Sequence, residues 1–141
     1  MIWFKPYTLE DVGTAHPPSM SDHLGIEIVE VGPDFIRGRM PVDARTRQPY
    51  GILHGGASVA LAETLASLAG WMCVDPSKYH CVGQEINANH VRSVSSGFVF
   101  GFARPLHIGS RSHVWEIRIT DERDRLVCIS RMTAAIIEIR H

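Results

Sequence analysis

Residues 53–70 read LHGGASVALAETLASLAG. Alanine and leucine dominate the stretch, and both are good helix formers, so it predicts a helix from about Gly55 to Cys73. Between Gly55 and Met72 the sole ionisable side chain is Glu63. Residues three and four apart share a helical face. Leu61, Leu65, Leu68 and Met72 therefore form a bulky stripe suited to a sheet. Gly56, Ala60, Glu63, Ser67 and Gly70 form a second stripe of small residues, where another backbone or a slender ligand has room to approach.

On either side of this helix the periodicity changes to that of strands. GIEIVEV (25–31) and FIRGRMPV (35–42) roughly alternate and meet at Gly32-Pro33-Asp34, which predicts a hairpin. Beyond the helix, four strands are expected over 81–91, 98–106, 112–120 and 125–138. Their separators are the turn-forming SSG (95–97), HIGS (107–110) and DERD (121–124). Ahead of the hairpin, Thr8 and Asp11 make a capping box for a short helix, while Pro17 and Pro18 argue for loop after it. Two strands, a long helix and four strands give an α+β fold, with an antiparallel sheet of about six strands packed on a central helix. No repeat or linker divides the 141 residues, so one domain spanning 1–141 is expected. A lone sheet of this kind exposes its edges, which favours self-association.

Composition narrows the partners. The chain is 45% hydrophobic and 21% charged with a formal net charge of −1, so it has no field with which to hold nucleic acid or an anionic membrane surface. Its three cysteines are odd in number and lack CxxC spacing, which fits reduced core thiols in a cytoplasmic protein. Glu10 and Asp11 interrupt any signal-peptide core. Glu63 falls at the midpoint of the only stretch long enough to suggest a membrane span, 55–74.

A carboxylate on an otherwise uncharged helix is costly to bury and is a candidate for chemistry. Taken alone, a helical glutamate more often reaches water or pairs with arginine. The helix start offers the complementary group, since the Gly55 and Gly56 amides have no intrahelical acceptors and can face an oxyanion. Glycines there could equally serve only to turn the chain. At 1.5 Å rise per residue Gly55 and Glu63 stand about 12 Å apart along the axis, too far to act on one carbonyl carbon. An antiparallel second copy would close that gap, so two equivalent sites about a twofold axis are expected.

PVDARTRQPYGILHGGASVALAETLASLAG (41–70), with INANHVRS (86–93), PLHIGSR (105–111) and SRMTAAII (130–137), resembles the hot-dog-fold acyl-CoA thioesterases over nearly the whole chain. The branch in question includes 1,4-dihydroxy-2-naphthoyl-CoA hydrolase and the enterobactin-synthesis proofreading thioesterase. The resemblance implies a hot-dog fold, homodimers with sites at the interface, and commonly homotetramers. It implies an acyl-CoA substrate with an aromatic or medium-size acyl group and no separate cofactor, CoA being part of the substrate. It gives Glu63 the role of nucleophile or general base and Gly55 that of oxyanion donor. Gln48 and His54 would polarise that end of the site, and Ser67 would orient the carboxylate or water. His90, Arg92, Gly83, Ser110 and Arg111 would lie along the CoA path, where arginine suits phosphate. The carboxylate has to be ionised to work, so activity is expected to fall on acidification.

Other chemistries find less support. There is no GxSxG elbow, no HExxH or paired histidine spacing for a metal, and no glycine-rich nucleotide loop. A hot-dog hydratase or dehydratase could use Glu63 with His54, and a non-catalytic acyl-CoA-binding protein could dispense with the carboxylate. Thiol release from acyl-CoA distinguishes all three.

Overall fold

The computed structural model describes residues 1–13 and 17–140. The elements run α1 (Leu9–Gly13), α2 (Met20–His23), β1 (Glu27–Val31), β2 (Ile36–Pro41), α3 (Gly55–Met72), β3 (Tyr79–His90), β4 (Phe98–Ile108), β5 (Ser112–Thr120) and β6 (Leu126–Glu138). The six strands form one sheet in the order β1-β2-β4-β5-β6-β3, every pairing antiparallel. This is the expected hot-dog architecture, with α3 as the helix the sheet curves around.

The inward residues of β4 and β5 alternate strictly with outward ones: Val99, Gly101 and Ala103 are buried, as are His113, Trp115, Ile117 and Ile119. Against them α3 buries Leu61, Leu65 and Met72 completely. The helix comes close because the sheet withdraws beneath it. Gly38 of β2 and Gly101 of β4 are register partners, and a Cβ on either would stand 2.6 Å or 2.5 Å from a Leu65 methyl. Leu65 thus fills the hollow left by two side-chain-less positions on neighbouring strands. Leu65→Ala should cost about 3 kcal/mol through the cavity it opens, readable as a lower urea midpoint at unchanged slope.

Leu68, on the expected stripe, is partly buried, packed against the core and toward β1 and the N-terminal segment. One expectation needs correction: helix resumes after Pro17 and Pro18. Ser19 caps α2, with Asp22 Oδ2 accepting from the Ser19 N–H at 2.8 Å, so the prolines do not prevent a helix from starting just after them. The Thr8–Asp11 capping box forms as expected, through reciprocal bonds of 2.7 and 3.2 Å. Residues 14–16 of that region lie outside the described part. Among the described residues no helix is long and apolar enough to cross a membrane.

β3 pairs on one side only, with β6. Its twelve residues leave a long open edge that carries neither proline nor lysine to discourage a partner strand.

Cys73, Cys81 and Cys128 are free thiols. Burial pushes Cys73 up to about 12 and Cys81 up to about 11. At pH 8 their thiolate fractions are then about 10⁻⁴ and 10⁻³. Less than one thiol per native chain should react with Ellman's reagent within minutes, against all three after denaturation.

Candidate active site

The loop before α3 delivers three of the candidate residues together. Thr46 is buried, its hydroxyl donating to the Pro41 carbonyl at 2.7 Å, while its own carbonyl accepts from the His54 N–H at 2.8 Å. Between those anchors the chain turns at Gly51, whose φ of +82° only glycine adopts readily. Gln48 sits at the turn, its side-chain carbonyl accepting from the Tyr50 N–H. That leaves the Gln48 amide NH₂ available to the adjoining space.

His54 is the N-cap of α3. Its Nδ1 accepts from the Gly56 N–H at 2.8 Å, and its carbonyl accepts from Ala57 and Ser58 at 3.0 and 3.2 Å. An Nδ1 acceptor in a neutral ring assigns the proton to Nε2. The glycine pair is therefore unequal. Gly56 is committed to the cap, whereas the Gly55 N–H has no acceptor among the described residues. It opens on a cleft of about 430 Å³ bounded by Gln48, Ser58, His90, Arg92 and Ser93, with no acidic residue in its lining. His90 stands directly over Gly55: a Cβ there would lie 2.8 Å from the imidazole Nε2. On its outer side Gly55 borders a second, smaller opening, shared with Gln48, Tyr50 and His54. A free amide at the positive end of an 18-residue helix, with histidine and arginine alongside, suits an atom that is gaining negative charge.

Glu63 is elsewhere. It is partly buried on the α3 face toward β3, and it borders neither cleft at Gly55. Its Oε1 rests against Gly83, in the space a side chain at 83 would take. Among the described residues it has no ion pair and no hydrogen-bond donor. Ser67, one turn on, donates to the Met132 sulfur at 3.8 Å. Beside Glu63 on the helix, Thr64 and Leu68 face a hollow of about 690 Å³ between α3 and the N-terminal segment, with Val12, Ile26 and Ile28 supplying apolar walls.

One chain does not unite the remaining candidates. His90 and Arg92 lie beside Val127 and Cys128 at the start of β6. Ser110 and Arg111 form the β4–β5 turn beside Ala135 and Ile136, about 23 Å of strand away. Gly83, opposite Ala134, lies near the Ser110–Arg111 end. Two residues at the site escaped the sequence reading. Ser58 is buried with its hydroxyl unpartnered at the wall of the Gly55 cleft, and its three-residue spacing from Gly55 was the available signal. Met132, a core residue of β6, is the acceptor for Ser67, which no local pattern indicates. Among the described residues no three of His, Cys, Asp and Glu converge where an ion could sit.

Residues 50–128, the segment that carries the helix, Glu63 and both glycines, match the thioesterase superfamily. The chain belongs to that superfamily. As a thioesterase it is 50% identical over 137 residues to 1,4-dihydroxy-2-naphthoyl-CoA hydrolase of Escherichia coli K12, an alignment covering 97% of this chain and 100% of that protein. It is 48% identical to the proofreading thioesterase EntH of Cronobacter turicensis, over 96% of this chain and 98% of that one. Among solved structures, a thioesterase from Haemophilus influenzae superposes with a TM-score of 0.95 at 48% identity, covering 100% of this chain and 98% of its own. A Pseudomonas aeruginosa thioesterase gives 0.96 at 43%, over 99% and 100%. A thioester hydrolase on this fold needs a group that attacks or activates water and a donor for the oxyanion. Among the described residues, Glu63 is a carboxylate without an ion pair and Gly55 carries an amide without an acceptor.

Proposed function

We propose that this thioesterase hydrolyses an acyl-CoA at sites shared between two copies of the chain, each site combining Gly55 of one with Glu63 of the other. The observation that carries the reading is the uncommitted Gly55 amide, opening on a cleft free of acids, on the same helix as an unpartnered carboxylate about 12 Å further along. A second copy docked along the open β3 edge, its helix antiparallel to the first, brings the two together and covers that edge. The same arrangement lets Ser110 and Arg111 of one copy approach His90 and Arg92 of the other, so that a long CoA arm meets donors from both.

The thioester oxygen would lie at the Gly55 N–H, which favours the transition state because a thioester carbonyl accepts hydrogen bonds weakly until charge develops on it. Glu63 acts as nucleophile or takes a proton from water, and Gln48 and His54 border the oxyanion side. The hollow lined by Val12, Ile26, Ile28, Thr64 and Leu68, on the β1 side of the helix that carries Glu63, has room for an aromatic or medium-size acyl group. The name of the Escherichia coli relative, a 1,4-dihydroxy-2-naphthoyl-CoA hydrolase, supports an aroyl thioester. Free-thiol release from a panel of aromatic and aliphatic acyl-CoAs tests the reading directly. Rapid release of CoA is expected; binding without release, or double-bond hydration in its place, would refute it.

A further inference from the structure

Where β3 passes Glu63 its pairing is irregular. Gly83 faces Ala134 and Glu85 faces Thr133 on β6, which leaves Gln84 as an extra residue in the strand. Bulges of this kind redirect a strand locally and are frequent beside active sites. At this one the strand offers the helix a position with no side chain. A Cβ on Gly83 would overlap Glu63 Oε1, stand 3.3 Å from the carboxyl carbon and reach 3.5 Å from the Met132 sulfur. That sulfur also accepts from the Ser67 hydroxyl. The carboxylate therefore rests on bare main chain, with the Met132 thioether behind it and Ser67 tied to the same thioether.

We infer that Gly83 is a positioning residue for the hydrolysis: its missing side chain provides the seat that sets where the Glu63 carboxylate stands. The inference rests on Glu63 being the reactive carboxylate. It differs from a place on the CoA path for Gly83, because a CoA contact would act through substrate binding and a seat acts through the chemical step. Carbon and oxygen ordinarily approach no closer than about 3.3 Å, so a methyl group at 83 moves Oε1 by roughly 1 Å. The displaced atom is the end of a flexible side chain that nothing else holds, so the fold absorbs the change easily. Catalysis does not, since a misplacement of about 1 Å can cost on the order of 10² in rate.

The test is Gly83→Ala, with Glu63→Asp as its partner. For G83A, kcat should fall by about 10² with KM within about threefold of wild type and the thermal midpoint within about 2 °C. Asp is shorter than Glu by one methylene, roughly 1.5 Å at most, which makes room for the added methyl. The double variant G83A/E63D should therefore exceed by at least about tenfold the kcat expected from multiplying the two single losses. Loss confined to KM, full kcat in G83A, or a double variant no better than the product of the singles overturns the inference. Glu63→Gln separates the two levels. If E63Q turns over, the reading of Glu63 itself fails; if E63Q is dead and G83A is fully active, only the seat fails.

Discussion

Glu63→Gln should lower kcat for acyl-CoA hydrolysis by about 10³ or more and leave the thermal midpoint where it was. Glutamine matches the shape of the side chain but can neither attack the thioester nor take a proton from water. Stability should not suffer, because no described residue pairs with Glu63 and its carboxylate rests on a glycine. Replacing a partly buried, unpartnered charge by a neutral amide is neutral or mildly favourable. The pair of outcomes is what matters. Lost turnover in a protein that still melts normally assigns the chemistry to this side chain; retained turnover in E63Q removes it from the mechanism and with it the shared-site proposal.

The second large effect is expected at the other end of the helix. Gly55→Pro deletes the uncommitted N–H at the first helical position, a place where proline is tolerated. The residue before it already has φ −69° and ψ 131°, the extended conformation that a following proline requires. Gly55→Ala is the control, since it brings a similar Cβ toward His90 and keeps the donor. Relative to G55A, G55P should lose about 10² to 10³ in kcat. The two dead proteins can then be mixed. If each site draws Gly55 from one chain and Glu63 from the other, an E63Q/G55P heterodimer carries one fully intact site and one doubly broken one. Random exchange makes half the dimers mixed, with one of two sites live in each, so about a quarter of wild-type activity should return. No recovery on mixing, with exchange verified by mass, would mean that each chain works alone.

How far these features were legible in the sequence differed by the range of the interaction involved. The helix and all six strands were readable because each announces itself within a few residues, by Ala- and Leu-rich runs or by alternation, and their limits needed only small shifts. The unequal roles of Gly55 and Gly56 were not readable, since histidine is outside the usual N-cap set of serine, threonine, aspartate and asparagine. The α2 start was missed because the prolines before it pointed to loop, although Ser19 and Asp22 form its capping box. Leu68 fell on the expected stripe, yet the N-terminal segment and β1 lie over that part of α3, so its burial depends on a contact with residues some forty positions earlier. The Gly83 seat is the hardest case. It joins residues twenty apart through a bulge, and a bulge is a property of a strand together with its partner.

The contact between Glu63 and bare backbone at Gly83 also bears on how such a protein changes over generations. A carboxylate propped by neighbouring side chains drifts whenever those neighbours mutate, whereas one lying on the peptide framework is indifferent to most substitutions around it. If Glu63 is the hydrolytic group proposed above, the walls of the hollow formed by Val12, Ile28 and Leu68 can be rewritten for new acids while that group keeps its place, and a lineage can explore substrates without re-inventing its chemistry each time.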